Sequence, residues 1–376
     1  MPTGPRLGCD VDHLASSTVD RTTVDIYDER GLSWAEAHRR PKRRIEAEAF
    51  AGRVGVGALR VDLGCGAGRY TPFLGEPIIG FDASPTMLVE CRSRVPDAIY
   101  VQGDIEALPF ARGSLGGGWS WMAHHHIPRP RLPMALWDLH RAMAVGAPFE
   151  LQVLRGEYEG HHLVDDEVGG RFFAGWRPEN LIDVVDGAGF EVDPESVVVT
   201  GDEVRLRAVR ARTLADTVGP NMRLLVCGLN PSLVAADAGI GFAGPTNRFW
   251  KAALAAGLVT RDRDPLDALR AHGVGMTDQV KRATRAADEL GSAEYRHGVA
   301  RLERLAEWLR PGAVCFVGLA GWRAFAGPQA KPGLQTDQLG GQPVYVMPST
   351  SGLNARTSLD DLIGHLGAAL AVADER

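Results

Sequence analysis

The sequence shows one pattern twice: short apolar strands alternate with amphipathic helices, the alternation stops near residue 211, and then it starts again. In the first half, LRVDLGC, PIIGFDA, AIYVQGD and FELQVL are apolar runs bounded by Gly, Pro or Asp, as strands usually are. RLPMALWDLHRAM and RPENLIDVVDGAGF have the apolar spacing of helices, and ESVVVTGDEVRLRAVRA is typical of a pair of strands. Such alternation favours a mostly parallel sheet covered by helices on both faces.

The second half repeats this organisation. RLLVCGL, AVCFVGL and PVYVMPS are predicted strands, and NRFWKAALAAGL and VARLERLAEWLR are predicted helices. For a chain of 376 residues, two domains are the expected arrangement. We predict a loose tail over residues 1–22, an α/β domain over 23–211, a linker over 212–221 and a smaller α/β domain over 222–376.

Composition and charge narrow the classes of protein. Hydrophobic residues make up 45% of the chain and charged residues 23%, as in soluble globular proteins, and no apolar run approaches the length of a membrane span. The first residues lack the apolar core of a signal peptide, and the five cysteines lack metal-binding spacing, so we expect a cytoplasmic protein with reduced thiols. From Met222 onward there are 17 Lys and Arg against 15 Asp and Glu, whereas the preceding part has 24 against 32. The second half is therefore the better candidate for binding a polyanion.

A glycine-rich segment, VDLGCGAGRY, directly follows the first predicted strand. Its glycines at 64, 66 and 68 let the backbone turn tightly and approach a ligand at the edge where α/β sheets bind cofactors. Asp82 ends the next strand, where its carboxylate can accept hydrogen bonds from ribose hydroxyls, and Asp104 ends the third, where it can meet an adenine edge. The spacing GxGxG differs from the GxGxxG dinucleotide fingerprint, which disfavours a nicotinamide cofactor. Another α/β domain with a glycine-rich turn is the structural alternative.

This ordered series resembles the class I S-adenosylmethionine-dependent methyltransferases, over about Thr23 to Ala211. The resemblance implies a Rossmann-like sheet with S-adenosylmethionine as cofactor, and Asp62 would steady the glycine loop. Two segments depart from the family: SLGGGWSW stands where a strand usually opens with Phe-Asp, and VGA stands where Pro-Gly-Gly is common. Cofactor binding is therefore better supported than turnover, and the acceptor stays open between a small molecule and tRNA. The cofactor-binding residues implied are Asp62, Gly64, Gly66, Asp82, Asp104 and Ile105.

Three consecutive histidines, His124 to His126, invite a metal-binding interpretation. On a strand, His124 and His126 would share one face and His125 would point away. No nearby acid or cysteine completes a metal site, so we predict no metal. The resemblance instead implies that the histidines line the acceptor pocket, because the family places the end of this strand there. No NPPY-type motif and no Pro-Cys nucleophile is present, so methylation of DNA bases is unsupported.

In the second half, the segment GLNPSL holds Asn230 at a strand end, just before a proline. A residue before proline is restricted to extended geometry, so the amide is held stiffly. An amide is a poor general base, but it can hold and orient a water molecule. That suffices if the leaving group departs largely on its own, as uracil does from an N-glycosidic bond, because the anion is delocalised and backbone N–H groups can stabilise it. Alternatively, Asn230 caps the following helix.

Downstream segments carry further candidates. Phe242 in FAGPTNRFW can stack on an extruded base, and Lys281 and Arg282 in MTDQVKRAT can contact phosphates. Leu353 in PSTSGLNAR is an apolar tip suited to wedge into the gap that a flipped base leaves. Each also has an ordinary explanation, because Phe242 and Leu353 can be core residues and the two cations can belong to a solvated face.

These motifs, in this order, resemble the mismatch-specific uracil/thymine-DNA glycosylases, whose loops read GINPG and NPSGLSR, over about Arg223 to Ala369. NRFW and ADEL also match. Ser232 replaces the usual glycine, and STSGLNA replaces the proline-bearing loop. The resemblance implies a short parallel α/β/α sheet of the uracil-DNA-glycosylase type, Asn230 as catalyst, and no metal or cofactor. It implies base binding by Gly228, Leu229, Phe242 and Ser351, and DNA binding by Lys281, Arg282, Gly352, Leu353 and Arg356.

The sequence thus predicts a bifunctional protein: a glycosylase that excises uracil, and by extension thymine, from G·U or G·T mismatches in double-stranded DNA, fused to a methyltransferase of unknown acceptor. A second hypothesis makes methylation of tRNA or a small molecule the main activity, with the second domain as a nucleic-acid-binding module. A third has both domains inactive and acting as a scaffold.

Overall fold

The computed structural model describes residues 18–37, 40–164 and 166–375, without the side chain of Trp34. These residues form two compact units. The first unit contains the residues up to Arg177 together with Asp193–Val209, and the second contains Pro178–Val192 together with the chain from Arg210 onward. Residues 1–17 of the predicted tail lie outside the described residues.

The first unit alternates helices and strands along the chain, as the sequence predicts. Pro85 follows the N-cap Ser84, whose hydroxyl accepts a hydrogen bond from the Met87 N–H and so starts the third helix. The strand β4 forms within SLGGGWSW. The elements are α1 (Arg21–Ala37), α2 (Arg44–Arg53), β1 (Arg60–Leu63), β2 (Ile78–Asp82), α3 (Pro85–Arg94), β3 (Ile99–Gln102), β4 (Gly117–Trp121), α4 (Leu132–Ala142), β5 (Pro148–Leu154), β6 (Glu159–Gly160) and β7 (Phe173–Ala174), and, after a segment of the second unit, β9 (Val198–Thr200) and β10 (Glu203–Arg210).

The strands of the first unit lie in the order β3-β2-β1-β4-β5-β10. From β3 to β5 all neighbours are parallel, whereas β10 is antiparallel to β5 and β9 is antiparallel to β10. The prediction of a mostly parallel Rossmann-like sheet is confirmed. Since β1, β2, β3 and β4 run in one direction, their carboxyl ends meet at the same edge of the sheet.

The second unit has its own sheet and helices. The helix α6 starts at the N-cap Ser232, which accepts from the Ala235 N–H, and ends at Gly239 in the left-handed conformation. The elements are α5 (Pro178–Gly187), β8 (Phe190–Val192), β11 (Leu224–Gly228), α6 (Leu233–Ala238), α7 (Phe249–Ala255), α8 (Pro265–His272), β12 (Val274–Asp278), α9 (Ser292–Leu309), β13 (Ala313–Val317), α10 (Leu319–Ala326), β14 (Gly333–Leu339), β15 (Gln342–Met347) and α11 (Leu359–Asp374).

This second sheet has the order β12-β11-β13-β15-β14, parallel except for β14. Side chains alternate between two cores, because successive residues of a strand point to opposite faces. Leu224 and Val226 pack on one face with α7, α8 and α11, and Leu225 and Cys227 pack on the other with α9 and α10. The result is the predicted three-layer α/β/α arrangement.

Residues 212–221, predicted to be a linker, are part of the second unit and are largely buried. The Thr217 N–H and C=O both pair with Met276 of β12. Asp216 lies in the interior, where its carboxylate accepts hydrogen bonds from Arg301 Nη1 at 2.8 Å, Lys281 Nζ at 2.7 Å and Thr277 Oγ1 at 2.8 Å. The side chains of Asp216, Lys281 and Arg301 are 4%, 8% and 1% exposed. This segment therefore contributes the Asp216 carboxylate to the interior of the second unit and is more than a linker.

Two further features are the state of the cysteines and the apolar character of the helices. In the described part of the chain, Cys65, Cys91, Cys227 and Cys315 are buried free thiols, and Cys9 lies outside it. None of the helices in residues 18–37, 40–164 and 166–375 combines the length and apolar character needed to cross a bilayer.

Asp216→Ala is expected to destabilise the second unit by about 3–5 kcal/mol, because it removes the carboxylate that is hydrogen-bonded to the buried charges of both Arg301 and Lys281. Urea unfolding of the full chain, followed by the loss of helical signal, measures this. Asp237→Ala is the control: Asp237 pairs with Arg212 on the surface, where both side chains are about half exposed, and such a pair contributes little. Equal unfolding midpoints for the two variants would contradict the prediction.

Candidate functional site

A cavity of about 380 Å³ lies at the carboxyl ends of the first unit's parallel strands. Its size falls in the range of small-molecule sites. The sequence-predicted residues Asp62, Gly64, Gly66, Asp82, Asp104 and Ile105 all line it. The structure therefore brings together side chains that three different strands contribute.

The glycine loop needs its glycines. Gly64 and Gly66 have φ angles of 67° and 51°, in the left-handed region that favours glycine. A Cβ atom on Gly64 would also collide with the side chain of Ala123, in the loop after β4. The Gly66 N–H donates to Asp82 Oδ2 at 2.8 Å, which holds the loop against the end of β2.

The carboxylates differ in their environments. Asp62 accepts from Thr71 Oγ1 at 2.7 Å, and burial raises its pKa to about 8, so it is a neutral acid at pH 7. Burial also raises the pKa of Asp82, although the Ser84 and Gly66 N–H groups oppose that shift. Asp104 accepts from the Glu106 N–H at 2.9 Å and from the Thr18 N–H at 3.0 Å. Thr18, placed in the predicted tail, is thus part of the cavity's surroundings.

The three histidines do not form a strand. His124–His126 is a short 3-10 helix, so the alternation expected for a strand is wrong. His125 and His126 line the cavity, whereas His124 points elsewhere, with its Nδ1 2.5 Å from Ser120 Oγ. Among the described residues, no three His, Cys, Asp or Glu side chains are grouped so as to hold a metal ion.

One cavity-lining residue gives no sequence signal. Met122, directly after β4, has a φ of 58°, which is uncommon for a side chain of this kind. Its N–H donates to the Gln152 carbonyl on β5 at 2.9 Å. Backbone conformations of this kind concentrate at functional sites.

In the second unit, the carboxyl ends of β11, β12, β13 and β15 likewise meet at one edge. Gly228 ends β11 and Asp278 ends β12, whereas Gly318 follows β13 and Ser349 lies two residues after β15. Gly228 and Asp278 are register partners in the parallel ladder. A Cβ atom on Gly228 would collide with Asp278 Oδ1 and lie 3.6 Å from Phe242 Cζ, so glycine leaves room for both neighbours.

Asn230 lies two residues beyond this point and is half-buried. Its Nδ2 donates to the carbonyls of Pro231 and Arg282 at 3.2 and 3.0 Å and to Thr284 Oγ1 at 2.8 Å. Since carbonyl oxygens only accept, these contacts fix which end of the amide carries the N–H groups. Asn230 Oδ1 accepts no hydrogen bond from the described residues. Ser232, not Asn230, caps α6, and the change from glycine to serine at 232 is therefore compatible with a helix start.

Phe242 has a φ of 57°, a strained conformation for a bulky residue. Its ring stacks on Phe249 with centroids 4.3 Å apart and planes 23° apart. Phe249 is fully buried in the core, and Phe242 is half-buried. The Phe242 ring, predicted to stack on a base, therefore packs on the core residue Phe249 and lies near Gly228.

Leu353 is 96% exposed, on a loop that the neighbouring residues hold in place. Arg248, in the NRFW segment, donates through Nη1 to the Thr357 carbonyl at 2.6 Å and through Nη2 to the Asn354 carbonyl at 2.7 Å. Gly352 packs against Thr246, leaving no room for a side chain. Ser351 Oγ accepts from the Leu353 N–H at 3.3 Å. Sequence reasoning missed Arg248, whose role depends on the pairing of two distant loops.

The predicted phosphate contacts need correction. Lys281 is wrong, because its Nζ is buried and donates to Asp216 and to the Leu214 carbonyl. Arg282 is exposed but pairs with Glu294 at 2.7 Å. Arg285 is exposed, and its guanidinium makes no hydrogen bond or ion pair within the described ranges. Arg356 is exposed in the same way.

Asp278 is a residue that sequence reasoning missed. It is buried, and its carboxylate makes no hydrogen bond or ion pair with any described residue. Burial raises the pKa of Asp278 to about 6, against the opposing effect of Lys281. A carboxyl group therefore lies beside Gly228, although GLNPSL itself contains none.

Comparison with known families agrees with this division. Residues 61–146 match the family model of a methyltransferase domain, and residues 215–366 match that of the uracil DNA glycosylase superfamily. The chain thus contains a methyltransferase domain followed by a domain of the uracil DNA glycosylase superfamily, a bifunctional arrangement. The second match implies DNA binding by that domain.

Solved structures similar to the chain are methyltransferases. One is the methyltransferase in complex with the Trm112 methyltransferase activator of Haloferax volcanii, with 18% identity, 50% of this chain and 97% of that chain covered, and a TM-score of 0.40. Another is an S-adenosylmethionine-dependent methyltransferase of Mesorhizobium loti, with 19% identity, 44% and 96% covered, and a TM-score of 0.37. A third is the 1,6-didemethyltoxoflavin-N1-methyltransferase of Burkholderia thailandensis, with 16% identity, 52% and 92% covered, and a TM-score of 0.40.

The methyltransferase domain uses S-adenosylmethionine, and the cavity of the first unit fits it. Positive φ angles at Gly64 and Gly66 leave the backbone open to a close ligand, and Asp82 and Asp104 place acceptor oxygens at adjoining strand ends. Ile105 adds an apolar surface. Bound there, the cofactor supplies an activated methyl group.

Asp82→Ala is expected to weaken S-adenosylmethionine binding at least roughly tenfold, because hydrogen bonds to a charged group are worth about 1.5–3 kcal/mol. Isothermal calorimetry on the full chain measures the affinity. Asp97→Ala, an exposed carboxylate between α3 and β3, is the control and should bind as wild type does. Unchanged affinity in Asp82→Ala would remove Asp82 from the cofactor site.

Proposed function

We propose that the second unit is a DNA glycosylase that excises uracil from G·U mismatches in double-stranded DNA by hydrolysing the N-glycosidic bond, and that thymine in G·T is a second substrate. The observation that carries this proposal is the orientation of Asn230. Its N–H groups are taken up by Pro231, Arg282 and Thr284, and its oxygen accepts no hydrogen bond from any residue that the structure describes.

In this proposal, Asn230 Oδ1 accepts a hydrogen bond from a water molecule and aims it at the sugar carbon. Because the departing pyrimidine carries its own negative charge, the water needs orientation more than deprotonation. Thr284 is a positioning residue, because its hydroxyl holds the amide at 2.8 Å. The products are free uracil and an abasic site.

The flipped base would stack on Phe242, with Gly228, Leu229 and Ser351 around it. A base held there lies against a ring that Phe249 supports, so the stacking surface is rigid. The missing side chain at Gly228 leaves the space between strand and ring open.

Leu353 would enter the stack in place of the base, since it is an almost fully exposed leucine on an ordered loop. Gly352, Arg356 and Arg285 would then contact the DNA backbone. Arg282 can join only by exchanging its pairing with Glu294 for a phosphate. The cations available near the loops are few, which fits a site that relies on insertion as well as on charge.

Asn230→Ala is expected to slow uracil release roughly 100-fold or more, because the water loses its orienting acceptor. Thr284→Val keeps the shape but loses the hydroxyl and should give a smaller loss, on the order of tenfold. A duplex with a single G·U pair, incubated under single-turnover conditions with the full chain, measures the rate.

Duplex binding by both variants serves as the control for folding. Equal release by wild type and Asn230→Ala would defeat the assignment of Asn230. No release by the wild type, with duplex binding retained and methyl transfer measurable, would leave the second unit as a nucleic-acid-binding module beside the methyltransferase.

The rate of uracil excision should depend on pH through the ionisation of the Asp278 carboxyl group. Burial raises the pKa of this carboxyl to about 6, so the group is neutral below that pH and ionised above it. The ionised form would repel the negative charge that develops on the departing base, so the single-turnover rate is expected to fall at least roughly tenfold between pH 5 and 7.5. Asp278→Asn should remove the decline. A decline of the same size in Asp278→Asn would show that another group titrates.

A further inference from the structure

Two buried polar atoms on the wall of the first unit's cavity have no hydrogen-bond partner among the described residues: His125 Nδ1 and Gln152 Oε1. His125 is 2% exposed and Gln152 is 1% exposed. A buried polar atom without a partner costs about 1–3 kcal/mol, and such atoms in a native protein call for an explanation. Both atoms lie beyond the glycine loop, near the end of β4 and on β5.

The neighbouring contacts determine which nitrogen of each histidine carries hydrogen. His126 Nδ1 lies 2.6 Å from the Phe172 carbonyl, which can only accept, so Nδ1 carries the hydrogen and the neutral ring has a lone pair on Nε2. His125 Nε2 lies 3.3 Å from that Nε2. The Tyr27 hydroxyl accepts from Arg171 and lies 3.0 Å from the same His126 Nε2, to which it donates. A second nitrogen lone pair 3.3 Å away would still be repelled, so the hydrogen of His125 is on Nε2. His125, which lines the cavity, therefore carries on Nδ1 a lone pair that no described residue fills.

Burial keeps both rings uncharged. It lowers the pKa of His126 to about 4, partly offset by the Phe172 carbonyl, and it also lowers the pKa of His125 well below its usual value, with His126 and Arg171 adding to the effect. At neutral pH the wall thus offers two unfilled acceptors, an imidazole nitrogen and an amide oxygen. A molecule that satisfies both must bring two hydrogen-bond donors and needs no charge of its own.

Residues of α1 and β7 line the cavity beside the histidines. Thr23 and Tyr27 of α1 line it, as does Phe173 of β7. Thr23 Oγ1 accepts from the Phe172 N–H at 2.8 Å, and Arg171 Nη1 donates to the Tyr27 hydroxyl at 2.9 Å, so α1 is tied to the segment that leads into β7. An acceptor bound beside the histidines would therefore lie against side chains of α1 and β7.

We propose that His125 and Gln152 form the methyl-acceptor subsite and that the acceptor is a small uncharged molecule with two N–H or O–H donors. One donor bonds to His125 Nδ1 and belongs to the atom that is methylated, and the other bonds to Gln152 Oε1. His126 is a positioning residue, because its lone pair, which also accepts from the Tyr27 hydroxyl, disfavours a second lone pair on His125 Nε2. This inference does not depend on the glycosylase activity.

The transfer balances with these groups. S-adenosylmethionine supplies the methyl group, the electron pair of the broken S–CH3 bond stays on sulfur, and the acceptor nitrogen or oxygen gains the carbon. The proton of that acceptor atom passes to His125 Nδ1. His125 accepts the hydrogen bond beforehand, which directs the remaining lone pair of the acceptor toward the methyl group.

The test uses the full chain saturated with S-adenosylhomocysteine and three probes: catechol, resorcinol and 1,2-diaminobenzene, each beside its fully methylated counterpart. Calorimetry is expected to show that at least one donor-bearing probe binds tenfold or more tighter than its counterpart. In nitrogen-15 spectra of histidine-labelled protein, that probe should shift the His125 Nδ1 signal.

Variants test the two acceptors separately. His125→Phe and Gln152→Met should each lose tenfold or more in affinity for the probe, and His125→Asn, whose amide oxygen can lie near the place of Nδ1, should restore part of it. His162→Phe is the matched control, because His162 is exposed in the same unit and lies away from the cavity wall. Retained S-adenosylhomocysteine affinity in all variants shows that the unit is folded.

Three results would overturn the proposal. The first is that every probe and its methylated counterpart bind equally well. The second is that His125→Phe and Gln152→Met both keep the wild-type affinity for the probe. The third is that the chain methylates a tRNA pool and that His125→Phe does so at the wild-type rate.

Discussion

Parallel pairing of strands is the constraint on which both candidate sites depend. In the first unit, β1 pairs with β2 and β4, and in the second, β11 pairs with β12 and β13, so strand ends that are distant in sequence lie side by side. Glycine follows or ends the central strand in both, at Gly64 and Gly228, and in each the missing side chain makes room for a neighbouring strand end. Two candidate sites with different residues are thus built on one geometric arrangement.

The buried charges of the second unit hold its site in shape. Arg301 of α9 donates to Asp216, to Thr277 and to the Asp278 carbonyl, so the end of β12 is bonded to a helix and to the segment before β11. Lys281 completes the same group of charges. Lys281, which the sequence suggested as a phosphate contact, therefore fixes the backbone next to the proposed base pocket, and its effect on DNA binding would be indirect.

The sequence predicted what depends on neighbouring residues and missed what depends on strand pairing. The glycine loop and Asp82 follow strands directly, and all predicted cofactor residues line one cavity, although their roles stay predictions. Asp278 could not be found, because it meets Gly228 only through register. Lys281 was misjudged because its partner Asp216 lies far away in sequence and was placed in a linker. His124–His126 follows β4 without continuing it, a turn that alternation of residues does not reveal.

Arg248 has a consequence for how the Leu353 loop would meet a double helix. Its guanidinium bonds to two carbonyls of the loop, and its own N–H donates to the Thr350 carbonyl, so both sides of the leucine are anchored to the start of α7. A tip that is already ordered loses little conformational entropy when it is inserted. The binding energy is then available for unstacking the duplex, and a rigid finger of this kind distinguishes sites by how easily their base pairs open.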